Sequence, residues 1–137
     1  MGVRRRIAPD AGSAAVGAWL REAGLDAAAP EAEVLAAVDA VALDRRTLAT
    51  AVRYALEELS EAAEGDSVEV RVPPFGVAQC IEGPRHTRGT PPNVVEMPAG
   101  IWLALATGRL SWDAAKGTPT VSASGIRADL GAVLPLV

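Results

Sequence analysis

Aromatic residues make up only 4% of this 137-residue chain, although half of its residues are hydrophobic. The apolar surface therefore comes mainly from Ala, Val and Leu, and a core built from them has few bulky side chains to fill its gaps. A single cysteine, Cys80, excludes an internal disulfide and suits a reducing compartment. Placed beside Ile81 in an apolar run, it reads as a small buried hydrophobe. One Cys and one His cannot furnish a structural zinc set, and neither a P-loop nor a dinucleotide fingerprint is present. No stretch reaches the roughly 18 to 20 unbroken apolar residues of a membrane-crossing helix. The basic start, Met1 to Arg6, runs into Pro9, Asp10 and Gly12 where a signal peptide would have its apolar centre, so the expected location is cytoplasmic. Surplus cation is missing too: 13 basic against 17 acidic residues give a net charge of −4 and a pI of about 5.0. Nucleic acid is not an expected partner of such a chain.

What is present fits one domain spanning 1–137, long enough to bury a core without disulfides or metal. Charge is shared unequally, with 7 basic and 12 acidic residues in 1–66 and 6 basic and 5 acidic in 67–137. The acidic half carries helical periodicity. Pro9 and Asp10 open a first helix with Ala15, Trp19, Leu20 and Ala23 on one face and Gly24 as its stop. Pro30, Glu31 and Glu33 open a second, with Val34, Leu35, Val38 and Val41 as its apolar face. Asp44 caps a third, in which Leu48, Val52, Ala55, Leu56, Leu59 and Ala63 recur at helical spacing up to Gly65. Glu57 and Glu58 fall on the opposite side and read as solvated charge.

At Ser67 the period changes from helical to alternating. Val68, Val70 and Val72 alternate with Glu69 and Arg71, and Pro73-Pro74-Phe75-Gly76 turns the chain into a second strand, Val77 to Glu82. Gly83 to Pro92 has loop composition, and Asn93 to Met97 is a third strand. Pro98, at the first helical position, leads into Ile101-Trp102-Leu103-Ala104-Leu105-Ala106, a helix apolar on every side that stops at Gly108. Ser111 caps a helical turn ending at Gly117, residues 120–124 alternate as a last strand, and the apolar tail carries Leu130, Val133, Leu134 and Leu136.

That order, with Gly108-Arg109-Leu110-Ser111-Trp112-Asp113-Ala114-Ala115 and then Val121-Ser122-Ala123-Ser124-Gly125, resembles the end of the sterol carrier protein family. Val70-Arg71-Val72-Pro73-Pro74-Phe75-Gly76 and the run Glu82 to Asn93 are similar to a bacterial sterol-carrier-like branch. The resemblance covers 44–137 and leaves 1–43 as a helical extension. It implies an α+β fold: an antiparallel-rich sheet of four or five strands, covered mainly on one face by helices, and a closing helix in the tail. It also implies noncatalytic binding or transfer of a fatty acid, acyl-CoA or sterol-like lipid, with no cofactor. The alternative it implies is an accessory or interaction module with a filled cavity, of the kind found with thiol-dependent isomerases. Oligomeric state is left open.

Two groups of residues are candidates for function. Ile101, Trp102 and Leu105, with Leu130, Val133 and Leu134 of the tail, either pack an ordinary core or line an apolar ligand cavity. Trp112 is placed to seal the seam between helix and last strand. The loop Arg85-His86-Thr87-Arg88 could receive a carboxylate, phosphate or coenzyme A head group, since guanidiniums offer forked donors to such anions. Equally, Arg85 and Arg88 could brace the loop against Glu82 and Glu96. His86 has no adjacent nucleophile with which to form a catalytic set, so an enzyme is not expected.

Overall fold

The computed structural model describes residues 5–84 and 93–137. The acidic half is helical, as its periodicity requires: α1 spans Pro9–Ala23, α2 Glu31–Ala37 followed by a 3-10 turn Val38–Ala40, and α3 Arg45–Ala62. Asp44 caps α3 by accepting from the Thr47 amide, and Gly24 ends α1 in the left-handed conformation that a residue without Cβ adopts cheaply. On α3 the buried face comprises Ala51, Val52, Tyr54, Ala55, Leu56, Leu59 and Ser60.

Among the described residues, four strands form one sheet: β1 Val68–Val72, β2 Gly76–Cys80, β3 Asn93–Glu96 and β4 Ser122–Ser124. Their order is β2-β1-β3-β4. The β1–β2 and β3–β4 pairs are antiparallel and β1–β3 is parallel, so the sheet is mixed but rich in antiparallel pairing. Val68, Val70 and Val72 face the core, whereas Glu69 pairs with Arg71 and accepts from Gln79 on the other face. A face occupied by such a network is wetted, and the helices therefore cover the opposite one. The second strand stops at Cys80, short of the expected Glu82, because Ile81 takes a φ of 64°. A β-branched residue rarely adopts that conformation. It is held by the Ile81 amide donating to Ala63 O at 2.7 Å and its carbonyl accepting from Ser67 N and Oγ at 3.1 and 2.6 Å.

The helix α4 spans Ala99–Ala106 and α5 Trp112–Lys116, the latter capped by Ser111. Pro98 sits at the cap of α4, one place before the expected first turn. The tail corrects the sequence reading, since residues 125–137 make turns and extended chain and no closing helix. Asp129 Oδ1 accepts from Gly131 N at 2.8 Å, forming a local turn that competes with helix. Pro135 has no amide to donate, and the Leu136 and Val137 amides go instead to Ala106 O at 2.8 and 2.9 Å.

One hydrophobic cluster joins Val16 and Trp19 of α1, Leu59 of α3, the inner face of β1, α4 and Leu130. The extension 1–43 thus contributes described residues to the same core as the strands. Gly100 marks how close it comes: a Cβ there would stand 2.4 Å from Val38 O.

Candidate functional site

The region under α4 is filled. Every residue from Ile101 to Ala106 is buried, Ile101 at 3% exposure and Trp102 and Leu105 at none. The Trp102 indole donates to Val52 O at 3.3 Å, which ties α4 to α3 and satisfies the one polar atom of that side chain. Leu130 is fully buried, and Val133 and Leu134 are half-buried. Ile101, Trp102, Leu105 and Leu130 thus belong to the one hydrophobic core, and Val133 and Leu134 pack against it. Arg85, His86 and Arg88 lie outside the described residues.

An open concavity lies elsewhere, along the seam between α3 and the outer edge of β2. This cleft of about 470 Å³ has Phe75, Val77, Ala78 and Gln79 of the strand edge along its floor and Arg53, Leu56 and Ser60 of α3 above. The edge of β2 explains how it stays open. Arg53 Nε donates to Phe75 O and Ser60 Oγ to Gln79 O, both at 2.7 Å, so helix side chains claim the strand carbonyls at each end. Between them Val77 is 62% exposed. Its amide and carbonyl share the outward side with those of residues 75 and 79, because backbone direction along a strand repeats every two residues.

The segment before α1 forms the remaining wall, and the two glutamates read as solvated charge build it. Glu57 Oε2 accepts from the Arg6 amide and Oε1 from the Ile7 amide, each at 3.1 Å. Arg5 pairs with Glu58 at 2.5 Å and with Glu61, and its guanidinium lies 6.0 Å from the centre of the Tyr54 ring. The signal was present in the sequence as Arg5-Arg6 set against Glu57, Glu58 and Glu61, but ion pairing over some fifty positions has no periodicity by which to be recognised. Arg45 stands 5.4 Å from the Phe75 ring centre at the end of the same seam. Among the described residues, neither Arg6, Arg45 nor Arg53 has a carboxylate partner.

A second, shallower concavity of about 700 Å³ runs past Ile81, Trp112, Asp113, Arg127, Asp129 and Val133. Of its two carboxylates, Asp113 pairs with Lys116 at 3.2 Å and Asp129 accepts from the Gly131 amide. Trp112, 7% exposed, fills its base. Cys80 is fully buried, and burial pushes its thiol up to about 11, so it is an inert part of the core. Among the described residues, no three His, Cys, Asp or Glu side chains gather where a metal ion could be held, and no helix is long and apolar enough to cross a membrane.

No curated protein matches the chain. The family model described as "Bacterial SCP ortholog" matches residues 44–136. That segment begins at the residue capping α3, takes in all four strands and ends in the tail. About two thirds of the chain is covered, and the open α+β architecture agrees; the chain belongs to this sterol carrier protein-like family.

Proposed function

We propose that this protein is a noncatalytic carrier that binds, and hands on, a lipid or fatty acyl ligand. The observation that carries the reading is the cleft between α3 and β2: about 470 Å³, with Leu56, Phe75 and Ala78 in its lining, at a helix–sheet seam inside the family segment. Pockets for small apolar ligands run from about 300 to 1,000 Å³ and are lined mainly by apolar side chains with a few placed polar groups. Membership of a sterol carrier protein-like family, associated in general with lipid binding or transfer, supports the same reading. Ile101, Trp102, Leu105 and Leu130 then serve as the rigid layer that holds α3 and the sheet apart at fixed spacing.

A second reading is favoured by the filled interior beneath α4. A module whose α4 layer is fully buried, and which presents the exposed Val77 and Ile126, fits docking on another protein. One experiment separates the two. Native mass spectrometry of the protein as purified from cells, followed by displacement of the neutral dye Nile red with fatty acids and sterols, is expected to show dye displaced at micromolar lipid. A protein that carries no lipid and releases no dye to any of them, yet leaves cells bound to a second chain, refutes the carrier reading in favour of the module.

A further inference from the structure

β2 is an outer strand of the sheet, and an outer strand presents unpaired backbone groups along its free edge. In the β1–β2 register Gly76, Ala78 and Cys80 oppose Val72, Val70 and Val68, while Arg53 and Ser60 of α3 reach the carbonyls of Phe75 and Gln79 from outside. The even-numbered residues therefore exchange their backbone bonds with β1, and the odd-numbered ones point theirs outward. Two of the outward carbonyls are taken by α3, and the Phe75 amide turns back to Val72 O. What the described residues leave open is both backbone groups of Val77 and the amide of Gln79, alongside a cleft of about 470 Å³. A fully guarded edge would offer no such donor–acceptor pair.

The same alternation sorts the side chains. Val77 shares the outer face of the sheet with Arg71 and Gln79, whereas Gly76 and Ala78 face α3. A Cβ at Gly76 would stand 3.7 Å from Arg53 Cγ, so a residue laid beside Gly76 in an added strand points its side chain towards Arg53. Exposed Arg6 borders the same cleft, and Arg45 stands at its Phe75 end. The neighbouring acids are engaged, Glu57 by the Arg6 and Ile7 amides and Glu58 and Glu61 by Arg5. Unpaired cation at the edge repels a second copy of the same edge and attracts an acidic chain.

We propose that the edge of β2 takes up an extended acidic segment of another protein as an added antiparallel strand. One residue of that segment exchanges both backbone bonds with Val77 and lays an apolar side chain on it, and the adjacent acidic residue meets Arg53 and Arg6 in the cleft. This goes beyond the carrier reading and does not rest on it; a lipid and the segment exclude one another from the cleft.

The probe is the peptide acetyl-Thr-Glu-Val-Glu-Thr-amide, titrated into the isotope-labelled full chain and followed by NMR. The Val77 and Gln79 amide signals are expected to shift, and those of Ser122 to Ser124 at the other edge to stay. The counterpart with Gln in place of both Glu residues binds about fivefold more weakly or worse, and Arg6→Gln combined with Arg53→Gln erases that difference. Methylating the central Val nitrogen of the peptide abolishes binding to the wild type. Val77→Pro does the same from the protein side, since it removes an outward N–H and spares the β1–β2 ladder. A methylated peptide that binds as well as its parent, or no shift at Val77 at millimolar peptide, overturns the proposal. So does a dimer of the free protein that Val77→Pro dissociates, which would give the edge to a second copy.

Discussion

Gly12 and Gly17 lie in the same helix, α1, and the structure assigns opposite outcomes to the same substitution at each. In a helix interior, replacing Gly by Ala stabilises by about 0.5 to 1 kcal/mol because Ala has less backbone freedom to lose on folding. At Gly17 nothing opposes this gain: the new Cβ meets only the far end of Arg21, whose Nη1 stands 3.3 Å away and can swing out. At Gly12 the new Cβ would fall 2.2 Å from Tyr54 Cγ and Cδ1 and 2.8 Å from Tyr54 Cβ. Rotation of the ring does not relieve contact at Cβ, and Tyr54 is buried on α3, so α1 must move away from the helix that it packs against. Overpacking of this kind costs about 1 to 3 kcal/mol. With helix propensity contributing equally to both variants, Gly12→Ala should lie about 1 to 3 kcal/mol below Gly17→Ala, with only the latter above wild type. Urea titrations followed by far-UV circular dichroism give both values, provided that the m-values agree. A Gly12→Ala protein as stable as Gly17→Ala would refute the close α1–α3 contact and, with it, the packing of the extension into the family core.

Two further predictions concern the interior. Leu59 is fully buried on α3, so Leu59→Ala should lower unfolding free energy by about 2 to 5 kcal/mol, and a denaturant midpoint that barely moves would remove this face from the core. Cys80 titrates near 11 in the folded protein against 9.0 for a free thiol, so its contribution is fully present below pH 9 and is lost as pH rises through 11. Iodoacetamide at pH 8 should accordingly label it far more slowly in native than in urea-unfolded protein; equal rates would refute its burial.

Much of the fold was legible because burial imposes a period. Leu56 and Leu59 repeat at helical spacing, Val68, Val70 and Val72 at strand spacing, and each set faces the core as its period requires. The end of β2 was not legible, since the φ of Ile81 depends on carbonyl and hydroxyl partners at Ala63 and Ser67 that no local pattern encodes. Nor was the form of the tail. Leu130, Val133, Leu134 and Leu136 satisfy a helical spacing, but the Asp129 turn and the amides given to Ala106 O fix another conformation. The six apolar candidates were recognisable as core-seeking residues, whereas whether such residues enclose space depends on packing among several elements. The cleft was hidden for a different reason: it is made by polar side chains of α3, exposed Arg53 and buried Ser60, reaching a strand edge 19 to 22 residues away.

The family segment begins at residue 44, so the cleft is built from two sources. Its floor and upper wall, β2 and α3, are family structure, while Arg6 and Ile7 come from the extension and give their amides to Glu57. Glu57 is thus the hinge between the two. Glu57→Ala removes both amide acceptors but leaves Arg5 on Glu58 and Glu61, so global stability should fall by less than about 1 kcal/mol, as for other half-exposed charge contacts. Local opening should increase far more than global opening, because the low-stability end of a structure responds first when few contacts remain. Trypsin, which cleaves after Arg5 and Arg6, is expected to cut there several times faster in Glu57→Ala than in wild type, at an unchanged melting temperature. Equal cleavage rates would mean that the Arg5 ion pairs alone hold the wall, and a large fall in melting temperature would mean that the segment is integral to the core.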